Sequence, residues 1–200
     1  MIVKHLGMQD YQATWDAMRA FTQTRTEDTA DELWLLEHPP VFTFGQAGKK
    51  EHLLHPHDIP VIQTDRGGQV TYHGPGQLIA YVLFDLRRGA CSIRELVTRL
   101  ESMVITILAK YGVVGYTDHQ RPGVYVQDRK IASVGLRVKR GCSYHGLSFN
   151  INMDLTPFSY INPCGYRGLC MTQLSAFAPQ VSIQEVSIYL SNICSFLMYS

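Results

Sequence analysis

The chain has 200 residues, of which 46% are hydrophobic and 18% are charged. This composition is too apolar for a disordered protein, and a chain of this length can bury roughly 70% of its unfolded surface around one core. The net charge of +1 argues against a protein that binds nucleic acid by neutralising phosphates, and against a strongly basic membrane-surface protein. We therefore expect one domain over residues 1–200, with neither nucleic acid nor a membrane as partner.

The cysteines indicate a reducing compartment. Their number is odd, and no two of them form the Cys-x-x-Cys pair of zinc ribbons and thioredoxin-type redox sites. The N-terminus lacks the apolar run of a signal peptide, and the uncharged C-terminal stretch, 186–200, is too short to span a bilayer. We expect a cytoplasmic protein with reduced thiols at Cys91, Cys142, Cys164, Cys170 and Cys194.

The first half of the chain predicts one helix and two short strands. Apolar residues recur at helical spacing from Tyr11 to Phe21, which is typical of an amphipathic helix. Apolar runs bounded by polar, proline or glycine residues predict the strands. The expected elements are a helix around 11–21, a loop over 22–30, and strands over 32–37 and 41–44.

Two capping boxes predict the starts of two longer helices. Ser92 with Glu95, and Ser182 with Glu185, each provide a hydroxyl and a carboxylate that can satisfy the first backbone N–H groups of a helix. An apolar face follows each box, and Gly112 is a natural stop for the first of the two helices.

Three short strands are predicted between those helices, over 124–126, 131–138 and 147–151, separated by glycine-bearing turns. Strands that precede and follow helices, rather than alternating strictly with them, favour a mixed sheet over a doubly wound parallel sheet. The predicted fold class is therefore α/β (α+β), as a single domain with a mixed β-sheet flanked by helices.

The segment 66–86 is the densest unusual stretch, because four glycines, a proline, a histidine and an arginine precede a strongly apolar strand. Glycine lets a backbone approach a ligand closely and point its N–H groups at an oxygen atom. The spacing matches neither the Walker P-loop nor the dinucleotide fingerprint. A hairpin loop with turn glycines is the alternative to a binding loop.

Polar residues in the predicted strands are further candidates. Lys130 stands at the start of an apolar strand, where it is either a solvated lysine or a functional one. His145, beside a glycine, is more typical of a hydrogen-bonded structural histidine than of a base. Asn150 and Asn152 alternate with apolar residues, which predicts that both amides lie on one strand face.

Cys164 is the favoured candidate nucleophile from its local context. It lies between Pro163 and Gly165 and therefore in a loop, and loops on a rigid scaffold are where reactive groups concentrate. The thiolate is the attacking species, and a nearby cation favours that form. Cys142 and Cys170 remain open as alternatives.

The histidines His52, His55 and His57 lie within six positions of one another, as in some metal sites. Pro56 breaks any helix that would align them, and the sequence shows no partner cluster. A solvated loop is the favoured interpretation, and no metal is predicted.

Six motifs stand in one order along the chain: EHPP at 37–40, RGGQVTYHGPGQ at 66–77, RKIASVG at 129–135, GCSYHGLS at 141–148, NINMDL at 150–155 and NPCGY at 162–166. Through these motifs, and over nearly its full length, the chain resembles the lipoyl(octanoyl) transferases, which are octanoyl-[acyl carrier protein]:protein N-octanoyltransferases.

The resemblance implies an acyltransferase with a fold related to the catalytic domains of biotin and lipoate protein ligases. It implies Cys164 as the acyl-thioester nucleophile and Lys130 as the residue that stabilises its thiolate, with no cofactor and no metal. It also implies that three segments line the bound acyl group: Arg66, Gly67, Gly68, Gln69, Val70, Thr71, Tyr72 and His73; Ser133, Val134 and Gly135; and Gly146, Leu147 and Ser148.

The implied reaction moves an octanoyl group from octanoyl-acyl carrier protein to a lysine ε-amino group on a lipoyl domain, the first step of endogenous protein lipoylation. The implied acceptors are the lipoyl domains of 2-oxoacid dehydrogenases and the glycine cleavage H protein. Arg87, Arg88 and Arg140 are candidates for the face that meets an acidic carrier protein.

Two alternatives stay open. A lipoate–protein ligase on the same scaffold would activate the free acid with ATP and need no cysteine nucleophile, so the substitution Cys164→Ser discriminates between the two. A non-catalytic module would bind acyl carrier or lipoyl domains without ever carrying an acyl group itself.

Overall fold

The computed structural model describes residues 1–118 and 120–199. The α-helices in this part of the chain are α1 (Tyr11–Thr24), α2 (Ile93–Lys110) and α3 (Ile183–Tyr199). Its strands are β1 (Ile2–Met8), β2 (Glu32–Glu37), β3 (Val41–Phe44), β4 (Val61–Gln63), β5 (Val70–His73), β6 (Gln77–Leu83), β7 (Tyr116–Thr117), β8 (Val124–Val126), β9 (Arg129–Lys139) and β10 (Cys142–Asn150).

The strands form a large mixed sheet and a small one. The large sheet has the order β1-β2-β6-β10-β9-β8-β7. Its first pair, β1 with β2, is parallel and the other neighbouring pairs are antiparallel, so the predicted mixed sheet is confirmed. The small sheet has the order β4-β3-β5, and β5 contacts the 3₁₀ turn Pro163–Gly165.

Helices cover both faces of the large sheet. On one face, α1 packs Met18 against Trp34 and Tyr81. On the other face, the apolar sides of α2 and α3 join the main core, where Leu100 and Leu190 are completely buried. Within the described residues, no helix combines the length and the apolar character needed to cross a membrane.

The helix starts follow the predicted capping boxes. Ser92 Oγ accepts a hydrogen bond from the backbone N–H of Glu95, and the Glu95 carboxylate accepts one from the backbone N–H of Ser92. Ser182 and Glu185 make the same reciprocal pair before α3. Each box satisfies N–H groups that a helix start otherwise leaves without a partner.

The sequence analysis missed β1, and the reason is its position at the edge of the sheet. Ile2 and Met8 are exposed, and a bulge at Gly7 interrupts the pairing with β2. An edge strand that buries little of its surface carries little hydrophobic alternation, so the pattern that reveals a strand is weak.

The predicted ranges of β9 and β10, 131–138 and 147–151, were shorter than the observed strands. β10 begins at Cys142 rather than 147 and is buried along its whole length, so Ser143 and His145 interrupted the apolar pattern used to predict it. The turn between β8 and β9 is not glycine-bearing as predicted. Gln127 and Asp128 both adopt left-handed backbone angles there.

Candidate active site

One cavity of about 360 Å³ lies where β5, β9 and β10 meet the loop that precedes β5. All three segments expected to line an acyl group reach this cavity. Tyr72 is the exception, because its side chain packs in a separate apolar cluster with Phe42 and Phe158. In the four-residue strand β5, Tyr72 points away from the face that Thr71 and His73 present to the cavity.

Lys130 and Cys164 meet at the cavity wall. The Nζ atom of Lys130 lies 3.2 Å from Sγ of Cys164 and donates a second hydrogen bond, of 2.6 Å, to the carbonyl oxygen of Pro122. Lys130 is only 2% exposed, so the interpretation as a solvated lysine is wrong. Its Nζ also lies 5.5 Å from the ring centre of Tyr125, a favourable position for a cation.

The loop that carries Cys164 is held in a constrained turn. Cys164 has a φ of 57°, and the adjacent Gly165 has a φ of 81°. Left-handed angles are uncommon for a residue with a side chain. The backbone N–H of Gly165 donates to the carbonyl of Asn162, whose own N–H donates to the carbonyl of His52. These bonds fix the turn and leave the thiol of Cys164 partly exposed at the cavity.

The glycine-rich loop is folded around the buried guanidinium of Arg66. Its nitrogens donate to the carbonyl oxygens of Thr43, Gly67 and Gln69 and to the Thr43 hydroxyl. The loop packs so closely on Gly45 that a Cβ there would lie 2.3 Å from the carbonyl oxygen of Gly68. The segment is therefore a structured loop that lines the cavity, rather than an open hairpin turn.

A second polar cluster surrounds Asp65. Its carboxylate accepts hydrogen bonds from Trp15 Nε1 and His145 Nε2, both at 2.9 Å, and from the hydroxyl of Tyr144. Partial burial opposes ionisation of Asp65, but the hydrogen bonds outweigh it and hold the pKa of this carboxyl well below its usual range.

His145 lines the same cavity as Cys164, but its ring is bonded to Asp65. It pairs with Leu136, six residues beyond Lys130 on β9, which corresponds to about 20 Å of strand. Burial lowers the pKa of His145 despite the bond to Asp65. The geometry therefore favours the structural histidine over the base.

Asn150 and Asn152 do not share a strand face. β10 ends at Asn150, which is buried and bonds both the Gln77 side chain and the carbonyl of Thr172, each at 2.9 Å. Asn152 lies beyond the strand and is exposed. Asn150 thus ties β10 to β6 and to the segment that follows the cysteine loop.

The thiols of the other candidate cysteines have other partners, the carbonyls of Arg140 and Gly168. Cys142 is buried at the start of β10, before His145, and burial raises the pKa of its thiol. Cys170 is exposed, and its thiol faces the carbonyl of Gly168. The contact with Lys130 therefore strengthens the local argument for Cys164 as the nucleophile.

The histidines of the 52–57 segment have other contacts. His52 Nδ1 lies 3.4 Å from the amide of Asn162, and the ring of His57 lies 4.5 Å from that of Tyr160. Over residues 1–118 and 120–199, no group of three or more potential metal ligands comes together.

The proposed carrier-binding arginines lie near the start of β10 and do not line the cavity. Arg87 pairs with Asp85, next to the start of β10, and Arg88 pairs with Asp31. Arg140 donates to the carbonyl of Gln23. Other residues that line the cavity were not among the predicted site residues: Tyr11, Arg121, Pro122 and Tyr166, the last of which ends the NPCGY motif.

The fold is that of the lipoate and biotin protein ligases. Lipoate-protein ligase A bound with ATP superposes with a TM-score of 0.80 at 15% identity, over 100% of this chain and 86% of that one. The biotin protein ligase from Aquifex aeolicus in complex with biotin and ATP gives 0.63 at 13% identity, over 98% and 70%. The predicted ligase-like fold is confirmed.

Among proteins with this ligase-like fold, sequence comparison assigns the chain to one family. The model of the lipoyl protein ligase A/B catalytic domain matches residues 10–193, and the chain belongs to that family. It is 60% identical to an octanoyltransferase from Cellvibrio japonicus, over 97% of this chain and 90% of that protein. It is 56% identical to one from Aeromonas salmonicida, over 100% and 91%. The predicted resemblance to octanoyltransferases is confirmed, as is the prediction of an acyltransferase.

Proposed function

We propose that this chain transfers an octanoyl group from the thioester of octanoyl-acyl carrier protein to the ε-amino group of a lysine on a lipoyl domain, through a thioester on Cys164. The observation that carries the proposal is the 3.2 Å contact between Lys130 Nζ and Cys164 Sγ beside a cavity that can hold an acyl chain. A buried ammonium favours the thiolate next to it, and the thiolate is the nucleophilic form.

In the first step, the sulfur of Cys164 attacks the thioester carbonyl of the donor. A bond forms between this sulfur and the acyl carbon, the bond to the carrier's sulfur breaks, and the carrier leaves as a thiol after taking a proton from the Lys130 ammonium, which becomes a neutral amine able to accept a proton in the next step. One thioester replaces another, so the step is close to neutral in free energy. Backbone N–H groups near the tetrahedral oxygen typically contribute about 3 kcal/mol each to such a step.

In the second step, the acceptor lysine attacks the acyl carbon as a neutral amine. The amide bond forms, the bond to Cys164 breaks, and the proton lost by the amine passes to Lys130 or to the departing thiolate. An amide is more stable than a thioester, so the reaction proceeds without ATP. The close pairing of the two side chains serves both steps.

The acyl chain is recognised by apolar burial in the cavity. Six methylenes at about 0.8 kcal/mol each give roughly 5 kcal/mol, as an upper bound. Shorter acyl chains are therefore expected to lose affinity stepwise. The segments around Arg66–His73, 133–135 and 146–148 are the proposed binding residues, without the Tyr72 side chain.

The proposed acceptors are lipoyl domains, including those of 2-oxoacid dehydrogenases and the glycine cleavage H protein, and the proposed compartment is the cytoplasm. These assignments follow from the family and its reaction. The domain is proposed to be one unit over residues 1–200.

The test is intact-protein mass spectrometry after incubation with octanoyl-acyl carrier protein. We expect wild type to gain one octanoyl group, about 126 Da, which hydroxylamine and a lipoyl domain both remove. Cys164→Ala should gain none, and Lys130→Ala should acylate far more slowly. Cys170→Ala is the matched control and should behave as wild type.

Two other results would each refute the proposal. A Cys164→Ser protein that modifies a lipoyl domain from octanoate and ATP would identify a ligase. A wild-type protein that binds the carrier and the lipoyl domain but never carries the octanoyl group would identify a binding module.

A further inference from the structure

Glu101 occupies a position where a carboxylate is unexpected. It lies within α2, on the side that faces the core, and is only 8% exposed. Its Oε1 atom accepts a hydrogen bond of 2.7 Å from the backbone N–H of Gly123. A charged side chain is costly to bury, and this one bonds the loop that contacts Lys130.

The loop 120–123 connects Glu101 to both members of the reacting pair. The residue before Gly123 is Pro122, whose carbonyl accepts the 2.6 Å hydrogen bond from Lys130 Nζ. Three residues earlier in the chain than Gly123, the carbonyl of Gln120 accepts a hydrogen bond from the hydroxyl of Tyr166, in the segment just after Cys164. The position of this loop therefore sets where Pro122 holds the ammonium group.

Gly123 is packed directly on the side chain of Lys130. Its φ is +127°, and a Cβ at this position would lie 2.6 Å from Lys130 Cε and 2.4 Å from the carbonyl oxygen of Ala132. The backbone at Gly123 thus forms one wall of the space that Lys130 occupies. A shift of this backbone would move that wall and the Pro122 carbonyl together.

We propose that Glu101 is a positioning residue for the Lys130–Cys164 pair, acting through the backbone N–H of Gly123. The carboxylate anchors the 120–123 loop to α2, the loop holds the ammonium through Pro122, and the ammonium faces the thiol. The inference rests on the proposed function, because the pair being positioned is the reacting pair of the acyl transfer.

The test measures the thiolate character of Cys164 without any acyl donor. Wild type, Glu101→Gln, Glu101→Leu and Glu101→Ala are alkylated with iodoacetamide from pH 5 to 10, and modification is read on the Cys164 peptide by mass spectrometry. Only the folded fraction from gel filtration is used. Met103→Ala is the matched control, because Met103 is fully buried on the same helix and its loss weakens packing without removing the hydrogen bond.

We expect Glu101→Leu and Glu101→Ala to alkylate roughly tenfold more slowly than wild type at pH 7, and the difference to shrink towards pH 10, because the thiolate is the form that reacts and alkaline pH favours it. Glu101→Gln keeps an oxygen acceptor for Gly123 and should recover most of the rate. Met103→Ala should lower the melting temperature but keep the wild-type pH profile.

A wild-type alkylation profile in folded Glu101→Leu or Glu101→Ala would overturn the proposal, as would the same altered profile in Met103→Ala. Leu favours helix and matches the volume of Glu, so this variant covers the case in which Ala fails to fold. Failure of the proposed function is read separately, as absence of an octanoyl adduct on wild type, and the alkylation comparison still decides the role of Glu101.

Discussion

The backbone N–H of Lys130 donates a hydrogen bond of 2.9 Å to the carbonyl oxygen of Cys170, and the N–H of Thr172 donates one of 2.9 Å to the carbonyl of Lys130. This short parallel pairing, centred on Met171, ties the chain that follows the cysteine loop to the start of β9. It explains how Lys130 and Cys164 come into contact although a long stretch of sequence separates them.

Replacing Lys130 by arginine should inactivate the protein while preserving the positive charge. The planar guanidinium is too large for the space beside Gly123, where even a Cβ is crowded by Lys130 Cε at 2.6 Å, and it cannot release a proton at neutral pH. We expect the rate of octanoyl-adduct formation, measured by quenched-flow mass spectrometry, to fall at least about 100-fold.

Arg129→Lys is the matched control, because Arg129 is the exposed neighbour of Lys130 on the same strand. It should acylate at the wild-type rate. Acylation of Lys130→Arg at more than about a tenth of the wild-type rate would show that charge alone suffices at this position.

Gly45 should tolerate no side chain, although its own backbone angle does not demand glycine. A Cβ would lie 2.3 Å and 2.7 Å from the carbonyl oxygens of Gly68 and Gly67, so Gly45→Ala must displace the loop that lines the cavity. We expect a loss of about 2–3 kcal/mol in the free energy of unfolding from overpacking, together with weaker acylation by the octanoyl donor.

Gly168→Ala separates the steric effect from backbone strain, because Gly168 has a φ of +75° and nothing within 4 Å of a Cβ. It should lose about 1 kcal/mol of stability and keep the wild-type affinity for the donor. Urea unfolding and the concentration dependence of acylation measure the two effects. Equal losses of stability and of donor affinity in Gly45→Ala and Gly168→Ala would contradict the steric explanation.

Regular elements were predictable wherever local chemistry defines them. The capping boxes located α2 and α3, and the apolar runs 32–37 and 41–44 match β2 and β3 residue for residue. Edge strand β1 was missed because it buries too little apolar surface to show a clear alternation. The first half of β10 was missed because it buries polar residues. In both cases tertiary context, not local pattern, determines the strand.

The site was predictable only in part for the same reason. Local context favoured Cys164, and the motif resemblance pointed to both Lys130 and Cys164, but the contact between them depends on the pairing of β9 with the segment after the cysteine loop. No periodic pattern of apolar and polar residues indicates that the carbonyl of Pro122 accepts a hydrogen bond from Lys130, or that Tyr11 reaches the cavity. These contacts depend on how loops and the α1 helix pack on the sheet.

Buried histidines should make the protein sensitive to mild acid. Burial lowers the pKa of His38 to about 4 and that of His73 to about 3, from an ordinary value of about 6.5. As the pH falls from 6.5 towards 4, the unfolded chain binds protons that the folded chain does not, so stability decreases through this window and is level above it. We expect the free energy of unfolding in urea to fall by about 3–5 kcal/mol between pH 7 and pH 4.5.

The double variant His38→Gln, His73→Gln should flatten this pH dependence, because glutamine does not titrate. Its stability at pH 7 is expected to be lower, since His38 bonds both the carbonyl of Gln9 and the hydroxyl of Tyr81. A wild-type decline that persists unchanged in the double variant would assign the acid sensitivity to other groups.

Asp65 should contribute to stability in a different pH range. Its low pKa means that the folded state favours the carboxylate, so its contribution is present above about pH 4 and is lost as the pH falls below that value. Asp65→Asn removes the charge that accepts hydrogen bonds from Trp15, Tyr144 and His145, and should cost about 2–3 kcal/mol at pH 7. Asp58→Asn, the same change at an exposed position, should cost less than about 0.5 kcal/mol. Urea unfolding at pH 7 measures both, and equal losses would show that the hydrogen bonds to Asp65 add nothing to stability.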